Sequence, residues 1–340
     1  MTEQPNPDFT LEGCIDTFID NVYNKWVKNK CPQKSNIEIE FRFSTLVAGG
    51  NVDTMHVDGG SVPHVAVPTV SFQHWKRITS RLTNLVFEQQ QDVLLHFPDD
   101  PSLKQVRART HYADVIAPLP AIGEVNTAGT VPSSPAPTVP HFGRTRYEAK
   151  KQFHRHVSET SGFVIKMCAS YETDMKPPQS DVLPDVTFSR IKHMGTLKHI
   201  SNIIVPELLP QLSLLTFPPI HLRYDIGIVW EAPTVNLATR KQHAWLEAYR
   251  QHRASSINPT PTATAMENTN ASLGVTMLEK DTMFVVELEW EHVLDVFMLW
   301  VNYDRQCGVQ VRQLMQKCIA MNLAAKIYQI EQFMQVPLHQ

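Results

Sequence analysis

Two short runs of the sequence carry glutamates at every second position. Glu38 and Glu40 lie in the run IEIEFRF, and Glu287, Glu289 and Glu291 lie in the run VELEWE about 250 residues later. Apolar β-forming residues surround both runs, which is typical of strands. Because successive strand side chains point to opposite faces, the acids of each run share one face. Such a face repels itself unless cations neutralise it, and a hard divalent metal or facing arginines and lysines would do so.

Basic residues recur at strand spacing in the middle of the sequence. The set consists of Arg107 and Arg109, Arg144 and Arg146, Lys166, and Arg223 with Asp225 and Glu231 on the same face. Acids on two strands and bases on several others would line one lumen if the strands closed into a barrel. A lumen of that kind suits a polyanion with a bound metal, namely a triphosphate.

The elements that would position these side chains follow from the periodicity of the apolar residues. Helical spacing predicts helices over 9–28, 72–90 and 303–333. Alternation predicts strands at 104–112, 145–153, 162–171, 220–231, 274–278 and 283–291. We therefore predict an α+β fold, a closed antiparallel β-barrel with flanking helices. The packed core of a β-sandwich would not tolerate the interior acids, whereas the polar lumen of a barrel would.

The 340 residues are enough for one large domain or two ordinary ones, and we predict a single domain over 1–340. Two stretches interrupt the pattern of strands. Residues 117–140 combine prolines with small residues, and residues 258–270 are rich in proline, threonine and asparagine. Both compositions are typical of flexible insertions.

The composition excludes several classes of protein. The formal net charge is −3, so a polyanion would have to be bound by a local basic cluster. The five cysteines lack zinc-type spacing, which favours free thiols in a reducing compartment. The sequence shows no signal peptide and no apolar run approaching ~18 residues, so we expect an intracellular, soluble protein without a membrane partner. Motifs of dinucleotide-binding, P-loop and α/β-hydrolase proteins are absent.

The order of the motifs resembles a known enzyme family. The run IEIEFRF, the pairs Tyr224-Asp225 and Trp230-Glu231, the run RQHRAS and the run VELEWE are similar to strand motifs of the metal-dependent RNA triphosphatases of mRNA capping. These are the triphosphate tunnel enzymes of fungi, protozoa and large DNA viruses. The resemblance spans roughly residues 36 to 291, and the paired glutamates are its specific part. It implies hydrolysis of the γ-phosphate of nascent mRNA, which leaves a 5′-diphosphate end for capping.

The resemblance also implies roles for individual residues. Mg²⁺ or Mn²⁺ would be bound by Glu38 and Glu40 together with one or more of Glu287, Glu289 and Glu291. The catalytic residues would be Glu231 and Glu289, which position water, and Arg144, Lys166 and Arg253, which contact phosphate. Further substrate contacts would come from Arg107, Arg109, Arg146, Arg223, Arg250 and Thr276. Arg107 or Arg109 is an alternative to Arg144 for the phosphate-contacting arginine, because the insertion at 117–140 leaves open which strand matches this motif of the family.

One motif departs from the family. The family carries an R-x-D-x-T strand before the final glutamates, whereas Ser272 and Gly274 stand at its charged positions here and only Thr276 is kept. Arg250, His252 or Lys280 could replace the missing charges. Two alternatives follow: a tunnel-fold tripolyphosphatase or nucleoside triphosphatase acting on small substrates, and a catalytically degenerate tunnel-fold subunit that serves interactions.

The resemblance finally implies partners and a location. The partners would be 5′-triphosphate RNA and an RNA guanylyltransferase. The helix at 303–333 would either pack in the core or form the surface of a homodimer. The location would be the nucleus for a cellular protein, or the host cytoplasm or virion for a viral one.

Overall fold

The computed structural model describes most of the chain. The described residues are 10–29, 36–47, 56–57, 60–61, 65–67, 69–96, 106–112, 142–160, 162–176, 185–203, 218–257, 275–276, 278–306 and 308–337. The two predicted insertions, 117–140 and 258–270, lie outside these ranges. Within these ranges, no helix is both long enough and apolar enough to cross a membrane.

The described residues form helices and strands that alternate along the chain. The helices are α1 (Leu11–Lys28), α2 (Phe72–Arg81), α3 (Val235–Ile257), α4 (Val293–Gln306) and α5 (Val309–Gln335). The strands are β1 (Asn36–Val47), β2 (His56–Val57), β3 (Gly60–Ser61), β4 (Val65–Val67), β5 (Val86–His96), β6 (Val106–Tyr112), β7 (Phe142–Glu159), β8 (Val164–Met175), β9 (Asp185–Ser201), β10 (Ile220–Ala232) and β11 (Met283–Glu291).

Eight of the described strands close into one antiparallel barrel. The order around the barrel is β11, β10, β9, β5, β6, β7, β8 and β1, and β1 pairs back with β11. Glu40 lies opposite Glu289 across this closing seam, and Arg42 lies opposite Glu287. The predicted fold, an α+β closed antiparallel barrel with flanking helices, is confirmed.

The apolar core lies outside the barrel, between its wall and the helices. In β1, Ile39 and Phe41 alternate with the glutamates and are fully buried, and Trp290 of β11 is buried beside them. Trp290 packs edge-on against Phe297 of α4, whose ring stacks on Trp300. Each buried side chain of this size contributes roughly 1.5–3 kcal/mol. The outward faces of β1 and β11 therefore hold this part of the barrel against the helices, which leaves their inward faces to polar residues.

The long helix α5 is fastened at its C-terminal end by two arginines of α2. Arg77 donates to the carbonyls of Met334 and Gln335, both at 3.1 Å. Arg81 donates to the carbonyl of Pro337 at 3.0 Å and to that of Phe333. The last carbonyls of a helix have no partner within the helix, so these guanidinium groups satisfy acceptors that would otherwise need water.

Two of the predicted elements differ from the structure. The helix predicted over 72–90 ends at Arg81, and β5 begins at Val86 after a turn in which Asn84 has φ 67°. Glutamine and glutamate favour helices in isolation, and here the ladders to β6 and β9 override that preference. The strand predicted at 274–278 is wrong, because residues 275–276 and 278–279 are helical. The sequence reasoning also missed β9.

Candidate active site in the barrel lumen

The lumen of the barrel is a cavity of about 500 Å³ lined mainly by charged side chains. The basic residues of the lining are Arg42, Arg107, Arg109, Arg146, Lys150, Arg190, Lys192, Lys198 and Arg223. The acidic residues of the lining are Glu38, Glu40, Glu88, Asp225, Glu231 and Glu287. The two signs of charge are not mixed evenly, because acids concentrate at the closing seam and several bases lie on β6 and β9.

The acidic wall consists of Glu38 and Glu40 on β1 and Glu287 and Glu289 on β11. The register of the two strands puts all four side chains on the lumen face, with Glu40 directly opposite Glu289. Glu38, Glu40 and Glu289 are each at most 8% exposed. The predicted grouping of these glutamates is thus present in the structure.

Three cations contact the acidic wall. Lys150 reaches from β7 and contacts Glu38 and Glu40, with its Nζ 2.5 Å from Glu40 Oε1. Arg42 donates to Glu40 at 2.5 Å and lies 3.0 Å from Glu287. Arg223 of β10 contacts Glu289.

Arg223 also contacts two neighbouring carboxylates of the seam. It is 2.9 Å from Asp225 and 3.3 Å from Glu291, so one guanidinium is shared among three acids. Glu291 accepts a second contact from the exposed Lys198 at 3.0 Å. Glu291 therefore lies at the edge of the acidic wall, with its own solvent-exposed counter-ion.

The pKa values of the acidic wall show a shortage of positive charge. Burial raises the pKa of Glu38 well above its usual range, and the neighbouring Glu40 raises it further. Burial raises the pKa of Glu289 to about 8, against the opposing effect of Arg223. Burial would also raise the pKa of Glu40, but Arg42 and Lys150 hold it well below the usual range. Arg42 and Lys150 thus stabilise the charged form of Glu40, whereas the charged forms of Glu38 and Glu289 are not stabilised to the same extent.

The donor chemistry of the acidic wall fits a hard divalent cation. Carboxylate oxygens are the ligands that Mg²⁺ and Mn²⁺ prefer, and an added cation would lower the raised pKa values of Glu38 and Glu289. In the part of the chain that the structure describes, no three His, Cys, Asp or Glu side chains come close enough together to hold a metal ion. Lys150 lies between Glu38 and Glu40 instead, as the cation of that pair.

The basic wall consists of Arg107 and Arg109 on β6 and Lys192 on β9, gathered around Asp92 of β5. Asp92 is 1% exposed. Lys192 Nζ lies 2.7 Å from its carboxylate, Arg109 Nε 2.9 Å and Arg107 Nη1 4.0 Å. Glu148 of β7 accepts a contact from Arg107 at 2.9 Å. Three cations therefore converge on one fully buried acid.

The pKa values of the basic wall show the opposite imbalance. Burial would raise the pKa of Asp92, but Lys192 and Arg109 hold it below its usual range. The pKa of Lys192 is lowered, first by burial and then by the positive charges of Arg109 and Arg107, against the opposing effect of Asp92. This wall would be stabilised by an added negative charge.

The two walls are connected through Glu172 of β8. Its carboxylate is 3.1 Å from Arg107 and 3.7 Å from Lys150, so it joins the basic wall to the cation of the acidic wall. A ligand in the lumen would meet carboxylates on one side and guanidinium and ammonium groups on the other. That arrangement can bind a polyanion on the basic wall while the acidic wall holds a cation.

Other predicted site residues lie at varying distances from these walls. Lys166 is half-buried on the lumen side of β8, paired in register with Arg42, and burial lowers its pKa. Arg146 is 54% exposed and pairs with Asp174 at 2.7 Å. Glu231 contacts Arg190 and lies eight residues along β10 from Arg223, about 26 Å at ~3.3 Å per residue. The register thus separates Glu231 from the acidic wall.

Three predicted site residues do not lie on barrel strands. The strand expected around Arg253 is wrong, since Arg250 and Arg253 both belong to α3, which packs outside the barrel against β9 and β10. Arg250 is exposed and lies 3.6 Å from Glu247 of the same helix. Thr276 is exposed within the helical residues 275–276. The strand implied by the resemblance of the RQHRAS run is absent because residues 235–257 form α3. The side chains of Arg144 and Arg253, and all of Ser272 and Gly274, lie outside the described residues.

Several residues of the walls were missed by the sequence reasoning. They are Arg42, Asp92, Glu148, Lys150, Glu172, Arg190 and Lys192. A signal for some of them exists: Arg190, Lys192 and Lys198 fall at even spacing, as do Arg146, Glu148 and Lys150. No such signal exists for Asp92, which stands alone among glutamines and apolar residues.

Comparisons with known proteins give structural neighbours only. No model of a known protein family matches the chain, and no curated protein sequence matches it. The S. pombe Pct1 RNA triphosphatase is similar in structure at 9% identity and a TM-score of 0.44, covering 95% of this chain and 93% of that one. The same enzyme in complex with the Spt5 CTD gives 9% identity and a TM-score of 0.43, over 93% and 92% of the two chains. The Mimivirus capping enzyme triphosphatase gives 13% identity and a TM-score of 0.35, over 87% and 98%. The barrel itself is established by the closed ladder of this chain.

Proposed function

We propose that the chain is a metal-dependent RNA 5′-triphosphatase, which hydrolyses the γ-phosphate of a 5′-triphosphate end and leaves a 5′-diphosphate. The observation that supports this function is the pair of opposed walls in one closed lumen. In the basic wall the pKa of Lys192 is lowered, which an added negative charge would offset, and in the acidic wall the pKa values of Glu38 and Glu289 are raised, which an added positive charge would offset. A polyphosphate with a divalent cation supplies both.

The basic wall would bind the phosphate oxygens. Arg107 and Arg109 present planar guanidinium groups that suit bidentate contacts, and Lys192 adds a third donor group. Asp92 holds two of the three within 2.9 Å of one carboxylate, so these groups are positioned before the ligand arrives. Fixed donors stabilise the charge that develops on the transferring phosphoryl group.

The acidic wall would hold Mg²⁺ or Mn²⁺ through Glu38, Glu40 and Glu289, with Glu287 beside them. When bound, such an ion neutralises charge on the terminal phosphate and polarises its oxygens. Glu289 would orient the attacking water from the seam, a role that the position of Glu231 does not suit. Glu231, paired with Arg190, would instead fix the other end of the basic lining.

The proposal extends to partners. The substrate would be 5′-triphosphate RNA, and the product would pass to an RNA guanylyltransferase in the next step of capping. A nuclear location, or the host cytoplasm or virion for a viral protein, agrees with that substrate.

The test is release of inorganic phosphate from γ-labelled triphosphate RNA, with ATP and tripolyphosphate as competing substrates. We expect release from the RNA with Mg²⁺ or Mn²⁺, none with a chelator, and RNA ending in a 5′-diphosphate. Release from ATP and tripolyphosphate but not from RNA would identify the small-substrate enzyme. No release from any of the three with either metal would reject catalysis and favour an interaction subunit.

A further inference from the structure

Lys150 contacts the acidic wall from β7. Among the contacts that the structure describes, the other cations of this wall, Arg42 and Arg223, lie on β1 and β10, which belong to the closing seam or flank it. The Nζ of Lys150 contacts Glu38 and lies 2.5 Å from Glu40 and 3.7 Å from Glu172. Lysine is an ammonium at neutral pH, because its ordinary pKa is about 10.4. A permanent ammonium therefore lies among three carboxylates.

The oxygens that Lys150 contacts are the same oxygens that a divalent ion would need. Glu38 and Glu40 lie on the same face of β1, two residues apart, and Lys150 bridges them. An ammonium and a divalent ion at one carboxylate pair repel each other strongly where the lumen excludes water. The two cations must therefore compete for this pair.

The chemistry of lysine suits a group that changes partners. Its charge is a compact ammonium on a flexible four-carbon stem, whereas a guanidinium is committed to a fixed fork of donors. Arg42 shows the contrast, because it bridges Glu40 and Glu287 along the seam itself. Glu172 of β8 lies opposite Lys150 in the β7–β8 register, 3.7 Å from its Nζ, and provides a carboxylate to which the ammonium can turn.

We propose that Lys150 is the resident cation of the acidic wall, which competes with the divalent metal for Glu38 and Glu40 and thereby weakens metal binding by the ligand-free protein. Lys150 is a positioning residue in this account, because it contacts both carboxylates and offsets their mutual repulsion until a metal replaces it. The metal would be Mg²⁺ or Mn²⁺, and the inference rests on the proposed function only for the identity of this metal.

The test measures binding of Mn²⁺ to the full-length protein by electron paramagnetic resonance of the free ion, without substrate. Lys150→Met keeps the length of the side chain and removes the charge. We expect Lys150→Met to bind Mn²⁺ at least tenfold more tightly than the wild type. The matched control is Lys151→Met, which removes the exposed lysine next to Lys150 on β7. Its affinity for Mn²⁺ should stay within twofold of the wild type.

Equal or weaker Mn²⁺ binding by a folded Lys150→Met protein would overturn the inference, as would absence of Mn²⁺ binding in both proteins. Circular dichroism and thermal melting report folding. If Lys150→Met fails to fold, Lys150→Gln keeps a polar group toward Glu38 and Glu40 without the charge, and the same gain is expected. The measurement needs no turnover. Failure of phosphate release would therefore reject the triphosphatase and leave the Mn²⁺ result standing.

Discussion

The acidic wall and the basic wall bury their charges to a similar depth, yet the pKa values of Glu38 and Glu289 move in the opposite direction from that of Asp92. In the acidic wall, burial and neighbouring carboxylates raise the pKa of Glu38 and Glu289. In the basic wall, three surrounding cations overcome burial and lower the pKa of Asp92. The difference shows that the sign of the local charge surplus, and not burial alone, decides each shift. The barrel keeps the two surpluses on separate strands, so they cannot cancel by direct pairing.

The largest expected effect tests the acidic wall as a site of chemistry. Glu38→Gln should lower the rate of γ-phosphate release at least ~1000-fold, because about 4 kcal/mol of transition-state stabilisation would be lost with the cation. Its melting temperature at pH 8 without metal should be unchanged or higher, since a buried carboxylate with a raised pKa costs stability when ionised. Glu247→Gln on α3, exposed and outside the barrel, is the control and should keep full activity. Full activity in Glu38→Gln would contradict the assignment.

The same change of carboxylate to amide should have the opposite effect on stability in the basic wall. Asp92→Asn leaves three buried cations without their shared acid, so we expect a loss of about 3 kcal/mol in the free energy of unfolding. Denaturant unfolding at pH 7 measures it. Asp174→Asn, which removes an exposed partner of Arg146, should change stability very little. A loss in Asp92→Asn as small as in this control would show that the basic wall is not held by Asp92.

A pH titration should separate the walls without mutation. The pKa of Glu289 is about 8 in the folded protein and near 4.5 when unfolded, so its contribution to stability is present at low pH and lost as pH rises towards 8. Without divalent metal, the free energy of unfolding should fall between about pH 5 and 8, by at most ~1.4 kcal/mol per pH unit from this group. Glu289→Gln should flatten that slope. An unchanged slope in this variant would mean that another group titrates there.

The smallest effect is expected where the two walls meet. Glu172→Gln removes the charge between Arg107 and Lys150 but keeps an oxygen acceptor, so we expect a stability loss of about 1 kcal/mol. The KM for triphosphate RNA should change only a few-fold. A stability loss as large as that of Asp92→Asn would show that the walls form one structural unit.

The features that could be predicted from the sequence are those that depend on alternation within a single strand. The glutamates of β1 and β11 stand out because acid and apolar residues alternate there, and the closed barrel follows from the number of such strands. Lys150 and Lys192 were missed because their partners, Glu40 and Asp92, belong to other strands, and strand order cannot be read from spacing. β5 was missed because its glutamines and glutamate also favour a helix. Arg253 was placed on a strand by motif similarity, whereas the spacing around it is that of α3.

The closing seam has a consequence for how the protein folds. Glu40 and Glu289 become neighbours only when β1 and β11 pair, although about 250 residues separate them along the chain. Contacts of such long range form slowly, because the loop they close carries a large entropic cost. During synthesis, β11 leaves the ribosome after all the other strands of the barrel. The acidic wall is therefore completed last, and a growing chain has its basic wall strands before Glu289 can lie opposite Glu40.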